Sequence, residues 1–402
     1  MHFLLNFRHW RLSGHIYYNA DMKATRAVIH LDNFLRNFRA IQGRIGPNRT
    51  ICVPVKADAY GHGAVAIAQA SLAAGASCLA VADVEEGAIL RNEGISAPIL
   101  LFSQPLPAEI PGILENRLIP FVSDGEFIEM LDKAAAAGIR LPVHLKINTG
   151  MGRTGCQPDE AAVLAKKLDA SAALEYAGTA THLAVSDSAA PGDIAFTKEQ
   201  IARFGRVLDA IKAAGVSPGI VHAANSGAVI LHPEAWFDMV RPGIALYGYK
   251  TIEETDVSAA LSLHMSLSPL RLEPVMELRT NVVFIRRVKK GETVSYGRTW
   301  TAGQDTAIGV LPVGYADGLP RLVSNKWQAV IGGKTYPLVG RICMDQCMVD
   351  LGSDSKVSRW DEAVVFGGCA PDAAELARRI GTIPYEITCN INKRVPRVYE
   401  GG

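Results

Sequence analysis

From about residue 50 to residue 250 the chain alternates short, apolar, β-branched runs with alanine-rich stretches of helical periodicity. The runs are ICVPVKA from Ile51, CLAVAD from Cys78, PILLFS from Pro98, LIPFVSD from Leu118, PVHLKINTG from Pro142, EYAGTATHLA from Glu175, GIVHAANSGA from Gly219 and MVRPGIALYG from Met239. Parallel neighbours in a sheet need a crossover of a dozen or more residues, so strict alternation of strand and helix implies a parallel sheet. Eight such units in ~200 residues predict an α/β fold of the (β/α)8 TIM-barrel type, with its chemistry at the C-terminal ends of the strands. The intervening stretches support this. In DGEFIEMLDKAAAAG, Phe127, Ile128, Leu131 and Ala135 share one helical face and Gly138 supplies a stop.

After Tyr249 the texture changes. From about Leu263 to Tyr399 the apolar runs alternate with polar residues, Gly and Pro recur, and one clear helix stands near Asp372 to Ile380. This predicts a mostly β C-terminal domain. The polar stretch TIEETDVSAA reads as the linker, giving a barrel over residues 23–255 and the β domain over 256–402. The run TRAVIHLDNF, ahead of the first barrel unit, has no barrel role and is expected to pair with the β domain. Residues 1–22 read as a disordered or tag-like extension, since Met22 stands directly before that run.

Composition narrows the partners. Of 402 residues 49% are hydrophobic and 20% charged, as in a folded soluble protein. Lys and Arg number 41 against 40 acidic residues, so the net charge of +1 gives no footprint for nucleic acid. No apolar window approaches the ~18 residues of a membrane span, and the N-terminal residues lack a signal-peptide pattern, so no membrane is expected and a cytoplasmic location is. Seven cysteines, an odd count without any C-x-x-C, read as buried thiols of a reducing compartment. Cys343 and Cys347 have no His nearby in sequence, and no metal is expected.

Polar residues at strand ends locate the chemistry. Lys56 closes the first run, in VPVKADAYGHG, where a barrel strand delivers its side chain to the mouth. Gly61-x-Gly63-x-x-Ala66, with Asp83 some twenty residues on, imitates a dinucleotide fingerprint, but four residues separate Lys56 from the first glycine and eight units exceed the usual six strands. IGGKT lacks the leading glycine of a phosphate loop, having Gln328 there. Other strand ends carry Lys146, Arg153, His182, Asn225, Ser226, Arg241 and Gly243. Asn225 and Ser226 read equally well as a helix N-cap. The loops after strands seven and eight are the usual phosphate site of such barrels, and a lysine beside a phosphate cradle points to pyridoxal phosphate held as a Schiff base.

In order along the chain stand VPVKADAYGHG, LKINTGMGRTG, THLAVSD, HAANSGA, VRPGIALYG, VSYGRTW, VGYADG, GRICMDQCMVD and IPYE. With these nine motifs the sequence resembles the alanine racemase family, pyridoxal-phosphate enzymes of fold type III, over residues 23–402. The resemblance implies that Lys56 carries the cofactor and serves as one acid/base group. It implies that Tyr60, Ser226, Gly243, Ile244 and Tyr385 hold the phosphate, that Arg241 faces the pyridine nitrogen, and that His182 and Asn225 belong to the cofactor site. Tyr296 is implied as the opposite base, acting in the partner subunit's site. Arg153 and the backbone of Met344 are implied to bind the substrate carboxylate, and Tyr315 and Arg321 to line a narrow access channel. Lys146 corresponds to a lysine that is carbamylated in some members, and the sequence leaves its modification open.

These residue types suit the reaction. Racemisation removes a proton from one face of the α-carbon and returns one on the other, which a Lys and a Tyr on opposite faces perform in both directions. A site completed by Tyr296 of a second copy implies a homodimer with shared active sites. Aromatic walls favour a methyl side chain, so L- and D-alanine are the expected substrates, with D-alanine destined for peptidoglycan. The alternatives are a broad-specificity or serine racemase of the same fold and a non-catalytic pyridoxal-phosphate carrier. A carrier needs Lys56 but neither Tyr296, nor Arg153, nor the β domain.

Overall fold

The computed structural model describes residues 23–135, 140–250 and 270–402. The first strand, β1 (Arg26–His30), leads into a helix over Leu31–Ile45, which buries Phe34, Phe38, Ile41 and Ile45 at helical spacing. Eight parallel strands follow: β2 (Thr50–Pro54), β3 (Cys78–Val81), β4 (Ile99–Leu101), β5 (Ile119–Val122), β6 (Leu141–Lys146), β7 (Leu174–Ala180), β8 (Ile220–His222) and β9 (Met239–Val240). They pair in the order β8-β7-β6-β5-β4-β3-β2-β9. The Asp238 amide donates to Val221 O at 3.1 Å, the Arg241 amide to Ala224 O at 2.8 Å, and the Asp238 carboxylate accepts from Val221 N–H at 2.8 Å. These bonds tie β9 back to β8 and nearly close the barrel.

The strands are buried on both faces, and successive residues take different partners. Cys52, Cys78, Ala80, Leu100, Phe121, Ala180 and Met239 form one cluster, the barrel's interior. The residues between them, such as Val53, Leu79, Ile99, Leu101 and Val122, join the large core beneath the helices. The helix over Gly125–Ala135 buries the four residues predicted to share its face, while its predicted stop, Gly138, lies outside the described residues. Asp83 caps the helix Val84–Asn92 by accepting from the Glu86 amide at 2.8 Å, which accounts for an acidic residue at that strand end without a ribose.

The remaining strands are β10 (Met276–Asn281), β11 (Phe284–Val288), β12 (Thr293–Val294), β13 (Trp300–Thr301), β14 (Thr306–Leu311), β15 (Gln328–Ile331), β16 (Lys334–Pro337), β17 (Cys347–Gly352), β18 (Glu362–Phe366) and β19 (Arg397–Glu400). They form a six-stranded sheet of order β16-β15-β18-β10-β1-β19, a three-stranded sheet β11-β14-β17 and the pair β12-β13. β1 sits inside the larger sheet, antiparallel to β10 and parallel to β19, so the chain enters through the second domain before building the barrel. Besides the helix at Ala373–Ile380, a short one at Pro384–Cys389 escaped the sequence reading. The linker TIEETDVSAA and the N-terminal extension lie outside the described residues.

Two contacts fasten the halves. Asn37 donates to Leu246 O and Glu273 O at 3.0 and 2.8 Å and accepts from the Glu273 amide at 2.8 Å. The Arg397 guanidinium donates to Gly61 O at 2.9 Å and to three carbonyls of the C-terminal segment, among them Ile391 O and Val395 O. The C-terminal segment is thereby pinned to the loop after β2, at the mouth of the barrel.

Candidate active site

Lys56 opens a left-handed turn. Ala57, Asp58, Ala59 and Tyr60 have φ of 51°, 53°, 53° and 55°, and Gly61 follows at 84°. For L-residues each such conformation costs roughly 1–2 kcal/mol, so four in succession persist only when the surroundings over-determine them. The surroundings do. The Glu86 carboxylate accepts from the Ala57 amide at 2.6 Å and from the Ala82 amide at 2.7 Å, bridging the ends of β2 and β3. Asp58 accepts from the Ala64 amide at 2.8 Å, and buried His62 uses Nδ1 on Ala59 O and Tyr60 O, both at 3.0 Å. Gly61 packs so close to the C-terminal helix that a Cβ there would lie 2.1 Å from Thr388 O.

Beyond this turn lies a cavity of about 400 Å³, lined by Lys56, Tyr60, Lys146, Arg153, His182, Asn225, Ser226, Arg241, Gly243 and Tyr385, with Phe102 and Phe121 among its apolar walls. Four of its residues are cationic and none is a carboxylate. One wall is a cradle of donors. Ser226 Oγ accepts from the Gly243 and Ala245 amides at 2.9 and 3.2 Å, leaving its own proton to donate, and the Tyr385 side chain lines the cavity with it. A Cβ on Gly243 would come within 2.6 Å of the Tyr60 hydroxyl, so only glycine leaves room for that phenol. Burial pushes the phenols of Tyr60 and Tyr385 up, so both stay protonated and able to donate.

Arg241 is 4% exposed and heavily constrained. Its Nη2 donates to Thr181 O at 2.8 Å and Ala223 O at 3.1 Å, and its Nη1 to His222 Nδ1 at 2.7 Å. Burial pulls the guanidinium down to about 10, which leaves it charged at neutral pH. Burial and then the charge of Arg153 lower the Lys56 amine below the ordinary lysine range, against the opposing pull of Glu86 and Cys389. Lys146 is lowered further by burial, Arg241 and Arg153, and its ammonium lies over the Phe121 ring at 5.6 Å. No acidic side chain pairs with Lys146 among the described residues. His182 is held neutral by burial and by Lys146, Arg241 and Arg153.

Family models for the alanine racemase N-terminal domain and the alanine racemase C-terminal domain match residues 29–251 and 275–399. The chain belongs to the alanine racemase family. Over 385 residues it is 49% identical to an alanine racemase of Treponema denticola, covering 94% of this chain and 98% of that one. The alanine racemase of Streptomyces coelicolor superposes with a TM-score of 0.86 at 36% identity, covering 96% of this chain and all of that one. That of Bacillus anthracis, solved with bound L-Ala-P, superposes with a TM-score of 0.84 at 32% identity, covering 94% and 96%. Its family makes the chain an isomerase acting on alanine.

Within this alanine racemase fold, ten of the residues singled out from sequence line one cavity. Ile244 is fully buried beside it, in the turn after Gly243. Asn225 is the N-cap of the helix Ser226–Leu231, its Oδ1 accepting from the Ala228 amide at 3.1 Å and from Ser186 at 2.6 Å. Four residues are not brought to Lys56 within one chain. Tyr296 stands 71% exposed on the β domain, bordering a separate cleft with Ser295, Cys343 and Met348. Met344, Tyr315 and Arg321 are also exposed on that domain. Sequence reasoning missed Phe102, Phe121, Glu86, His144 and His222. His144 carried a signal, since it stands two residues before Lys146 and hence on the same strand face.

Proposed function

We propose that this chain interconverts L- and D-alanine with pyridoxal phosphate, through Lys56 and Tyr296 of the partner subunit as the two proton-transferring groups. The observation that carries this reading is a single cavity with four cationic side chains, a donor cradle and no carboxylate, suited to a ligand with a phosphate at one end and a carboxylate at the other. The residues fit the cofactor. Ser226, Tyr60, Tyr385 and the amides near Gly243 and Ile244 would hold the phosphate, and Lys56 has an amine that burial already biases toward the neutral, nucleophilic form. When bound, pyridoxal phosphate supplies an aldehyde for a Schiff base and a ring that acidifies the α-proton.

The chain's own groups do the rest. Arg153 takes the substrate carboxylate, with the Met344 backbone contributing from the β domain. Lys56 Nζ exchanges a proton with the α-carbon on one face, and the partner subunit's Tyr296 on the other. Arg241 is a donor with no proton to give up, so it keeps the ring nitrogen unprotonated and restrains side reactions. The exposure of Tyr296 in one chain supports a homodimer with composite sites, and Tyr315 and Arg321 line the way in. The aromatic walls favour alanine over longer side chains, and the D-alanine serves peptidoglycan synthesis in the cytoplasm. No helix among the described residues is long and apolar enough to cross a membrane.

Lys146 is carbamylated in this reading. Its neutral amine adds to carbon dioxide, forming an N–C bond and releasing one proton, and the buried amine is replaced by a carboxylate beside Arg153 and Arg241. Carbon-13 NMR in labelled bicarbonate should show a carbamate signal that disappears in Lys146→Ala; an unchanged spectrum overturns the modification.

The test of function is the loss of optical rotation of L-alanine, L-serine and L-lysine, with and without added pyridoxal phosphate. Loss confined to alanine is expected. Comparable loss with serine or lysine makes the chain a broad-specificity racemase. No loss with any of them, despite bound cofactor, makes it a carrier.

A further inference from the structure

The pairing of β6 with β7 shifts register between Val143 and His144, which brings His144 opposite Gly178. Such irregularities re-aim a side chain. A Cβ on Gly178 would lie 2.6 Å from His144 Cε1 and 2.7 Å from its Nδ1, so the imidazole occupies space that only glycine leaves open. The ring is 3% exposed, stacks on Phe121 with centroids 6.0 Å apart, and meets His222 edge-on at 4.9 Å. Its Nδ1 is 2.7 Å from His222 Nε2, and His222 Nδ1 is 2.7 Å from Arg241 Nη1.

The direction of this chain follows from its charged end. A guanidinium only donates, so His222 Nδ1 accepts. A neutral imidazole with an accepting Nδ1 carries its proton on Nε2, which donates to His144, and His144 Nδ1 must therefore accept in turn. Burial, followed by the neighbouring Arg241 charge, keeps both rings neutral, with His144 pushed down to about 3. Without an acceptor at His144, the His222 Nε2–H is buried and unpaired. The ring then gains by turning until that N–H finds another acceptor, which carries Nδ1 away from the Arg241 donor.

We propose that His144 is a positioning residue: seated by the β6–β7 register shift and Gly178, it accepts from the His222 Nε2–H and so holds the His222 ring, and through it the aim of Arg241 into the cavity. The kinetic consequence rests on the proposed role of Arg241 at the cofactor ring; the anchoring of His222 does not. This gives the bulge a purpose, since regular pairing would not set His144 against Gly178.

The experiment compares His144→Asn, whose amide oxygen can stand near the Nδ1 position and accept, with His144→Leu, of similar size but without an acceptor. Nitrogen-15 NMR of histidine-labelled holoprotein, with His222 assigned by its own substitution, reads which ring nitrogen is protonated and whether that N–H is hydrogen-bonded. The wild type and His144→Asn should show His222 protonated at Nε2 with a proton slow to exchange, and His144→Leu should show that signal shifted upfield or lost to exchange. Racemisation kcat should fall about tenfold in His144→Leu, with KM changing less than twofold, and stay within about threefold of wild type in His144→Asn. A His222 protonated at Nδ1 in the wild type, or an Nε2–H signal unchanged in His144→Leu, overturns the proposal. If His144→Leu does not fold, the wild-type and His144→Asn signals decide. Absence of activity in the wild type refutes the functional reading and leaves the NMR result to judge this one.

Discussion

Arg241 shows how one side chain can be both structural and chemical. Three of its contacts are acceptors inside the barrel, so Arg241→Lys offers a single nitrogen where a planar fork donates in several directions. It should lower kcat at least tenfold and destabilise the fold by about 1–3 kcal/mol, because a buried acceptor loses its donor. Assay and urea unfolding measure the two separately. Lys56 has a lowered pKa, and the neutral amine is the reactive form, so cofactor uptake should accelerate with rising pH at a midpoint below the ordinary lysine value of 10.5. Absorbance of apoprotein mixed with pyridoxal phosphate checks this, and a midpoint at or above that value would contradict it. At this scale much of the site was legible. Lys56, Lys146 and Arg241 are cations interrupting apolar strands, and that has few bland explanations once three share one barrel mouth. His144 and His222 were not legible, because a histidine in an apolar strand reads as core until its neighbour across the sheet is known.

The element that sequence could not announce is the left-handed turn after Lys56. ADAY contains no glycine, and of its four residues only Asp58 is of a type that visits positive φ with any ease. The turn exists because Glu86, Asp58, His62 and the packing of Gly61 on Thr388 hold it, and those partners are distant in sequence or depend on the turn itself. Glu86→Ala removes the acceptor for two backbone amides at once, and should cost about 2–4 kcal/mol in urea unfolding and raise the concentration of cofactor needed for half-saturation. Glu86→Gln keeps an oxygen and should do less harm. By contrast the eight strands were readable, since alternation of apolar runs with amphipathic helices leaves few other arrangements. So was the place of β1 in the second sheet, because the eight runs after it already complete a barrel and leave this strand over.

For the whole molecule, four histidines buried as neutral rings set the acid response. His62 and His144 are pushed down to about 3 by burial, and His182 and His222 well below the ordinary value of 6.5. Between the folded and unfolded values the unfolded chain binds more protons, so stability falls as pH drops below about 6.5. At pH 5 His62 and His144 should take up about two protons on unfolding, each worth about 1.4 kcal/mol per pH unit, and His182 and His222 add uptake of the same sign. Denaturant midpoints from pH 7 to 4 give the slope, and His144→Asn should reduce the uptake by about one. The assembly carries the larger claim, that each active site draws Lys56 from one subunit and Tyr296 from the other. The direct measurement is subunit complementation. Lys56→Ala and Tyr296→Phe proteins, each inactive or nearly so, are mixed and allowed to exchange subunits, which is verified by differential tags. In a mixed dimer both lesions fall in one site and the other is intact, so racemisation should return to about a quarter of the wild-type rate. Verified exchange with no recovery would contradict a shared site.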